Sequence, residues 1–503
     1  MKSDFIFEES KAGELTCSFK GKYLHSKYNP KTEGERFAQS LEADFSPLCL
    51  FILEPALSYC ASSLKVRFPQ ATVCAVRFRK EFSESDSEWD KVFYLCSDLP
   101  LSEQLFLVLG EEKLCSSLVF DWSATKQAFP EENIKAWQEI KKAILKARDV
   151  IGTRAYFSKR WLKNSLVFAA NLERPFILEK GNQPVIIAAS GPSLKSSLPF
   201  LKENRASFFL IAVSSAFMPL VKNGILPDLV ISSDGGFWAK YHLDFEGTSE
   251  CFFALEAESA IPKRILTDGN VIPLVYDGGL EKDFLDAIAC PYMISERNGT
   301  VAGTALTFAY NLTAGKVYLC GLDQAAAKGY QHTQPNALEN GNAKKDYRLK
   351  NSETRMTFSR FSSEKTLEIY RNWFISNSAF FSDRVFRLSD NFAYDYPLGK
   401  IKEVNWNDFN NNKLEVKKDR DLKKIQIKEE KIRIEKKERS KKLLERLRNI
   451  SKSQNFINEV FPMESTLIRR ELSEEKRRDL LERLREKTDS LLEECAKLLQ
   501  AGL

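Results

Sequence analysis

The residues best suited to chemistry lie in four short segments between 184 and 332. In the first, PVIIAASGPSL (184–194), an apolar strand-like run breaks on Ser190-Gly191-Pro192-Ser193 and enters a helical pattern. Such a bend can hold a phosphate, because Gly191 lets the backbone approach a ligand and Ser193 offers a hydroxyl and an amide where a helix dipole favours anions. A plain strand–helix turn with a serine cap would read the same way. The second segment, IAVSSAF (211–217), ends a strand on Ser214-Ser215. The third, GILPDLVISSDGGFW (224–238), places Asp234 and two glycines after a strand, where the carboxylate could accept from a ligand hydroxyl or amine, bind a metal, or form a local turn. The fourth runs from Arg297-Asn298-Gly299-Thr300 through a helical stretch to KVYLCGLDQ, which carries Gly321 and Asp323 behind another strand. His332 follows nine residues later. With only His25, His242 and His332 in the chain, it is the candidate general base.

These segments can cooperate only if an open α/β sheet gathers them, since ligands there sit beyond the carboxyl ends of the strands. Apolar runs at 185–189, 208–213, 229–232, 252–255, 271–275 and 317–320 supply six expected strands. Upstream, 48–56 and 72–79 read as strands with a crossover helix between them, followed by strands at 92–96 and 104–109. This gives a small Rossmann-like α/β domain whose first strand ends on Glu54-Pro55-Ala56, without a dinucleotide fingerprint, so a scaffold role is expected. The domains expected are 1–130, a helical connector at 131–180, a central α/β domain at 181–405 and a charged helical region at 406–503. In that last region the charged stretch after Asn412 reads as helix with a stripe of Leu422, Ile425, Ile432, Leu443, Leu447 and Ile450. Beyond Pro462 a second helix, capped by Ser473, carries Leu480, Leu484, Leu491 and Leu498. A coiled-coil-like hairpin fits, with homo-oligomerisation as one use. The polar stretch 335–356 reads as a lid or a plain surface loop.

Composition narrows the class. The 503 residues are 43% apolar with 36 Phe, and the net charge of +6 does not call for nucleic acid. Ten scattered cysteines without CxxC spacing read as reduced thiols, and a zinc site is not expected. The amino terminus lacks the pattern of a signal peptide, and the most apolar stretch, 207–221, is shorter than a membrane span, so a cytoplasmic location without membrane insertion is expected.

The segments VIIAASGPSL, NGILPDLVISSD, GTVAGTALTFAYNLTAGKVYLCGLD and Gln331-His332-Thr333 together resemble the central domain of the motility-associated-factor (Maf) flagellin glycosyltransferases. That domain is similar both to an archaeal 6-hydroxymethylpterin pyrophosphokinase (MptE-like) and to sialyltransferases using CMP-sialic acid. The flanks RWLKN (160–164) and LSDNFAYDYPLGKIKEV (388–404) resemble the same family. The resemblance implies O-linked transfer of a nonulosonic, sialic-acid-like sugar from a CMP-activated donor to serine or threonine of flagellin, in support of flagellar assembly and motility, with no cofactor or metal required. It further implies that Gly191, Pro192 and Ser193 contact the CMP phosphate or ribose, that Ser215, Asp234 and Thr300 line the nucleotide pocket, and that Asp323 and His332 border the acceptor. Two other readings remain open: an ATP- and Mg²⁺-dependent pterin pyrophosphokinase drawing on Asp228, Asp234 and Asp323, and a non-catalytic flagellin-binding protein.

Overall fold

The computed structural model describes residues 4–97, 99–245, 250–325, 332–338, 352–388, 396–409 and 422–501. The chain divides into two compact units, Met1–Tyr156 with Ile457–Asp489, and Phe157–Phe456 with Ser490–Leu503. Among the described residues, no helix is long and apolar enough to cross a membrane. Residues 389–395, 410–421 and 339–351, where parts of the family-like flank, the charged tail and the polar stretch fall, lie outside the described residues.

The first unit opens with an antiparallel sheet, β1 (Phe5–Glu9), β2 (Leu15–Phe19) and β3 (Lys22–Tyr23). A parallel sheet follows, ordered β6-β5-β4-β7, from β4 (Cys49–Leu53), β5 (Thr72–Arg77), β6 (Lys91–Tyr94) and β7 (Ser117–Asp121). The strand expected at 104–109 is instead part of the helix Leu101–Cys115. There the apolar run is split by side: Leu101, Leu105 and Leu109 recur every fourth residue and are buried, while Leu107 and Val108 face solvent. A continuous apolar run cannot separate a strand from a helix by periodicity, and the helical repeat prevails. The fourth strand is β7. Behind β4 and β5, the buried Arg77 guanidinium bonds Glu54 (3.2 Å), Asp86 (2.9 Å) and Ser58 (2.8 Å), which ties the strand ends together.

The second unit is built on nine parallel strands ordered β14-β13-β12-β11-β10-β9-β15-β16-β17. They are β9 (Val185–Ala188), β10 (Phe209–Val213), β11 (Leu229–Ser232), β12 (Phe252–Glu256), β13 (Asn270–Tyr276), β14 (Met293–Ser295), β15 (Val317–Cys320), β16 (Val385–Leu388) and β17 (Lys402–Val404). All six expected strands of this domain are present. Their near-continuous apolar sequences follow from burial on both faces, as a parallel sheet requires. The residues of β9 and β10 are all buried, and the helices Leu194–Glu203, Ser214–Lys222 and Val301–Leu312 turn their apolar faces onto the same core.

The charged tail departs from expectation. Where the stripe from Leu422 to Ile432 suggested helix, residues Gln426–Glu429 form a strand, β18, paired antiparallel with β8 (Phe176–Glu179). Alternating Ile425 and Ile427 suit a two-residue period better than a helical one. Helices follow at Lys436–Ile450, Gln454–Val460, Pro462–Arg470 and Glu474–Ala501, and the Ser473 hydroxyl accepts from the Lys476 amide (3.4 Å) as a cap. Of the apolar stripe expected there, Leu443, Leu447, Leu484 and Leu491 are buried, while Leu480 and Leu498 are half-buried.

Candidate functional site

Strand order locates the site. From β9 the chain adds β10 to β14 on one side and then returns to place β15 on the other, so the order reverses between β9 and β15. The crevice beyond the carboxyl ends of such a pair is where open α/β sheets bind ligands.

The two bends at that point are locked together. The Gly191 amide donates to the Gly321 carbonyl (2.7 Å), and a Cβ on Gly191 would lie 2.5 Å from that carbonyl and 2.7 Å from the Asp323 carboxylate. Gly321 has φ +65°, and a Cβ there would sit 2.2 Å from the Ala189 carbonyl. Both positions therefore require glycine for backbone approach. The Ser193 amide donates to Asp323 Oδ2 (2.6 Å) and its hydroxyl to Oδ1. Ser193 is thus no ordinary cap, and its hydroxyl binds across the crevice instead of to its own helix.

Asp323 is buried, and burial pushes its carboxyl above the ordinary carboxylate value, opposed by the two bonds from Ser193 and by Arg387. With both oxygens engaged, it positions the Gly191–Ser193 turn and is poorly placed to abstract a proton. The turn's own donors are also committed: the Leu194, Lys195 and Ser196 amides reach the carbonyls of Gly191 (3.0 Å), Pro192 (3.4 Å) and Ser193 (3.2 Å). A phosphate held by the amides of this helix start, as the sequence suggested, would have to displace these bonds.

Hydroxyls line the neighbouring strand ends instead. Ser190 and Ser215 share a hydrogen bond (2.6 Å) between the bends after β9 and β10. The segment 332–338 closes over them. The Thr333 amide donates to the Ser190 carbonyl (2.7 Å) and its hydroxyl to the Gly191 carbonyl (2.6 Å), while the Asn336 side-chain amide reaches the Ser215 carbonyl (3.4 Å). His332 enters the site by this route. Its ring lies 6.3 Å from that of His242, which ends the short 3₁₀ turn Phe237–His242 behind Asp234. Burial first, and the neighbouring His332 charge second, pull His242 down to about 4.

On the other flank, the Ser233 and Thr304 hydroxyls are 3.3 Å apart, which joins the bend after β11 to the helix Val301–Leu312. Thr300 caps that helix, its hydroxyl oxygen accepting from the Gly303 amide (2.8 Å). Asp234 reaches solvent yet is hemmed in on other sides; that partial burial raises its carboxyl, and the bond from the Gly236 amide (2.7 Å) opposes the rise. Its charge in turn helps burial to raise Tyr370, on the helix Ser352–Phe381.

The structure thus joins Gly191, Ser193, Ser215 and Asp323 in one network at the switch point, with His332 brought alongside by the bonds of Thr333 and with Asp234 and Thr300 on the adjoining rim. Thr333 enters the sequence reading only as part of a family-like segment with no role assigned, and Asn336 and Tyr370 are not singled out by it, because a polar residue on a polar stretch gives no signal of what it reaches. The metal-binding trio does not assemble: Asp228 precedes β11 at the amino edge of the sheet, where it holds the Leu210 amide (2.7 Å) and Arg205 (2.8 Å), whereas Asp234 and Asp323 lie at the carboxyl edge. Among the described residues, no group of three or more potential metal ligands converges.

Comparison with known proteins agrees with this architecture. A family model described as 6-hydroxymethylpterin diphosphokinase MptE-like matches residues 159–329. An uncharacterised protein of Treponema pallidum (strain Nichols) is 31% identical over 302 residues, covering 60% of this chain and 66% of that relative. Among solved structures, the Maf glycosyltransferase of Magnetospirillum magneticum AMB-1 is similar over 100% of this chain and 93% of its own, with a TM-score of 0.53 and 13% identity. The chain therefore contains an MptE-like domain and shares the fold of a Maf glycosyltransferase.

Proposed function

We propose that this chain, an MptE-like domain set within a Maf glycosyltransferase fold, is itself a glycosyltransferase that moves a nonulosonic sugar from a CMP-activated donor to serine or threonine of flagellin in the cytoplasm. The observation that carries the reading is the cluster of hydroxyls at the β9–β15 switch point, where Ser190 bonds Ser215 and the segment bearing His332 is pinned to the Ser190–Gly191 backbone. A CMP-linked sugar is already activated, so the protein has to orient it, stabilise the departing phosphate and deprotonate the acceptor. In this reading Ser190 and Ser215 face the phosphate, and donors fixed in advance need no reorganisation as charge develops there. Asp323 acts through Ser193 to hold the Gly191–Ser193 wall, and Thr300 orders the helix start on the adjoining rim. The acceptor hydroxyl attacks the anomeric carbon, the bond to the CMP oxygen breaks, and the hydroxyl proton passes to a ring nitrogen of His332 as CMP leaves. Such base assistance is typically worth about 10²–10⁴ in rate. Asp234 is the alternative base, since its raised carboxyl and open position suit proton transfer.

The split of Asp228 from Asp234 and Asp323 argues against the pyrophosphokinase reading. The test is to incubate the purified chain with CMP-pseudaminic or CMP-legionaminic acid and flagellin, following CMP release and the intact mass of flagellin. A mass gain of one sugar, abolished in His332→Ala, is expected. No CMP release and no mass gain with either donor would overturn the proposal.

A further inference from the structure

Between Asp234 and His242 the chain makes a rigid turn whose outer face has no role in the crevice. Gly235 packs so tightly on the Trp161 indole that a Cβ would lie 2.2 Å from its Nε1, which fixes where the turn begins. A 3₁₀ turn repeats every three residues, so Ala239 and His242 point inward and are buried together. The residues between are thrown outward: Phe237 is 48% exposed, Trp238 65% and Tyr241 38%. Trp238 stacks on Tyr241 (centroids 5.7 Å) and meets Phe237 edge-on (5.4 Å), while the Lys240 ammonium lies 4.0 Å from the Phe237 centroid.

Single exposed apolar residues are ordinary, but a contiguous aromatic patch marks an interaction surface, and Trp and Tyr dominate the energetics of such surfaces. Rings this exposed do not enclose a small sugar, whose sites bury most of the ligand. They suit a partner that brings its own bulk. Two features select the partner. The patch continues directly from the site, with Asp234 at one end and His242, facing His332, at the other. Lys240, on a chain of net charge +6, favours an acidic occupant.

We infer that the Phe237-Trp238-Lys240-Tyr241 patch docks the acceptor polypeptide, gripping a segment with apolar and acidic side chains so that a neighbouring hydroxyl reaches the crevice. This rests on the transferase reading above and adds the location of its acceptor surface. The test uses the full chain and purified flagellin monomer, with Trp238→Ala, Trp238→Phe and Lys240→Glu. Direct binding of flagellin and the KM for flagellin in transfer should worsen tenfold or more in Trp238→Ala and in Lys240→Glu. Trp238→Phe should stay within about threefold of the unaltered protein. Thermal stabilisation by CMP should be unchanged in all three. Unaltered flagellin affinity in Trp238→Ala would overturn the inference, as would equal loss of CMP stabilisation, which would mean damage to the site itself. Self-association lost in Trp238→Ala, without a change in flagellin binding, would assign the patch to a second copy. If the unaltered chain transfers nothing, the transferase reading fails while binding still decides this one: flagellin binding abolished by Trp238→Ala upholds the docking surface, and no binding to the unaltered chain refutes it.

Discussion

Replacing Asp323 separates a clamp from a base. Its oxygens accept from the Ser193 amide (2.6 Å) and the Ser193 hydroxyl, in a place where burial already disfavours the charge. Asparagine satisfies the same geometry: its carbonyl oxygen takes the Ser193 amide, and its NH₂ donates to the hydroxyl, which rotates to accept. Asp323→Asn should therefore keep stability within about 1 kcal/mol. Asp323→Ala leaves the buried amide without a partner, a loss of roughly 1–3 kcal/mol, and removes the hydroxyl bond for about 1 kcal/mol more. The sum is roughly 2–4 kcal/mol. At about 2–4 °C per kcal/mol for a domain of 150 residues or more, Asp323→Ala should melt roughly 4–16 °C below the unaltered chain. Thermal unfolding with and without CMP reads both variants, and CMP release reads turnover. A clamp predicts that Asp323→Asn retains melting temperature, CMP stabilisation and turnover, while Asp323→Ala loses all three. Were Asp323→Asn to melt normally yet lose turnover by the hundredfold or more expected of a missing base, the clamp argument would be wrong.

Two further perturbations test the same edge. Gly191→Ala pushes a methyl against the Gly321 carbonyl and Asp323, so it should cost about 1–3 kcal/mol and weaken CMP binding, whereas alanine at the open Gly152 position should do neither. His242 makes stability depend on pH. Folded, its pKa is about 4, against about 6.5 unfolded, so between those values the unfolded chain binds a proton that the folded chain refuses. Stability is full above about pH 6.5 and falls as the pH drops, by up to about 3 kcal/mol near pH 4. His242→Phe should flatten the melting temperature across that window, and an unchanged slope would show that other groups set it.

The sequence alone determined the middle of the large sheet, but not its edge strands Met293–Ser295, Val385–Leu388 and Lys402–Val404. A strand buried on both faces must be apolar throughout, so the six central strands of the second unit could be read from their composition, and the bends that follow them stood out as small polar breaks. Where an apolar run could serve either period, as at 104–109, or where a short strand hid in charged sequence, as at Gln426–Glu429, the deciding factor was which face met the rest of the chain. Only the tertiary structure set the strand order, and with it the switch point between β9 and β15. That order turned Asp323 from a candidate base into the partner of Ser193, 130 residues away. It also brought His332 within 6.3 Å of His242, two rings that nothing in their local sequences connects. Local patterns record burial, which each residue feels by itself; the chemistry of a site depends on which distant groups meet, and that is fixed only when the whole sheet assembles.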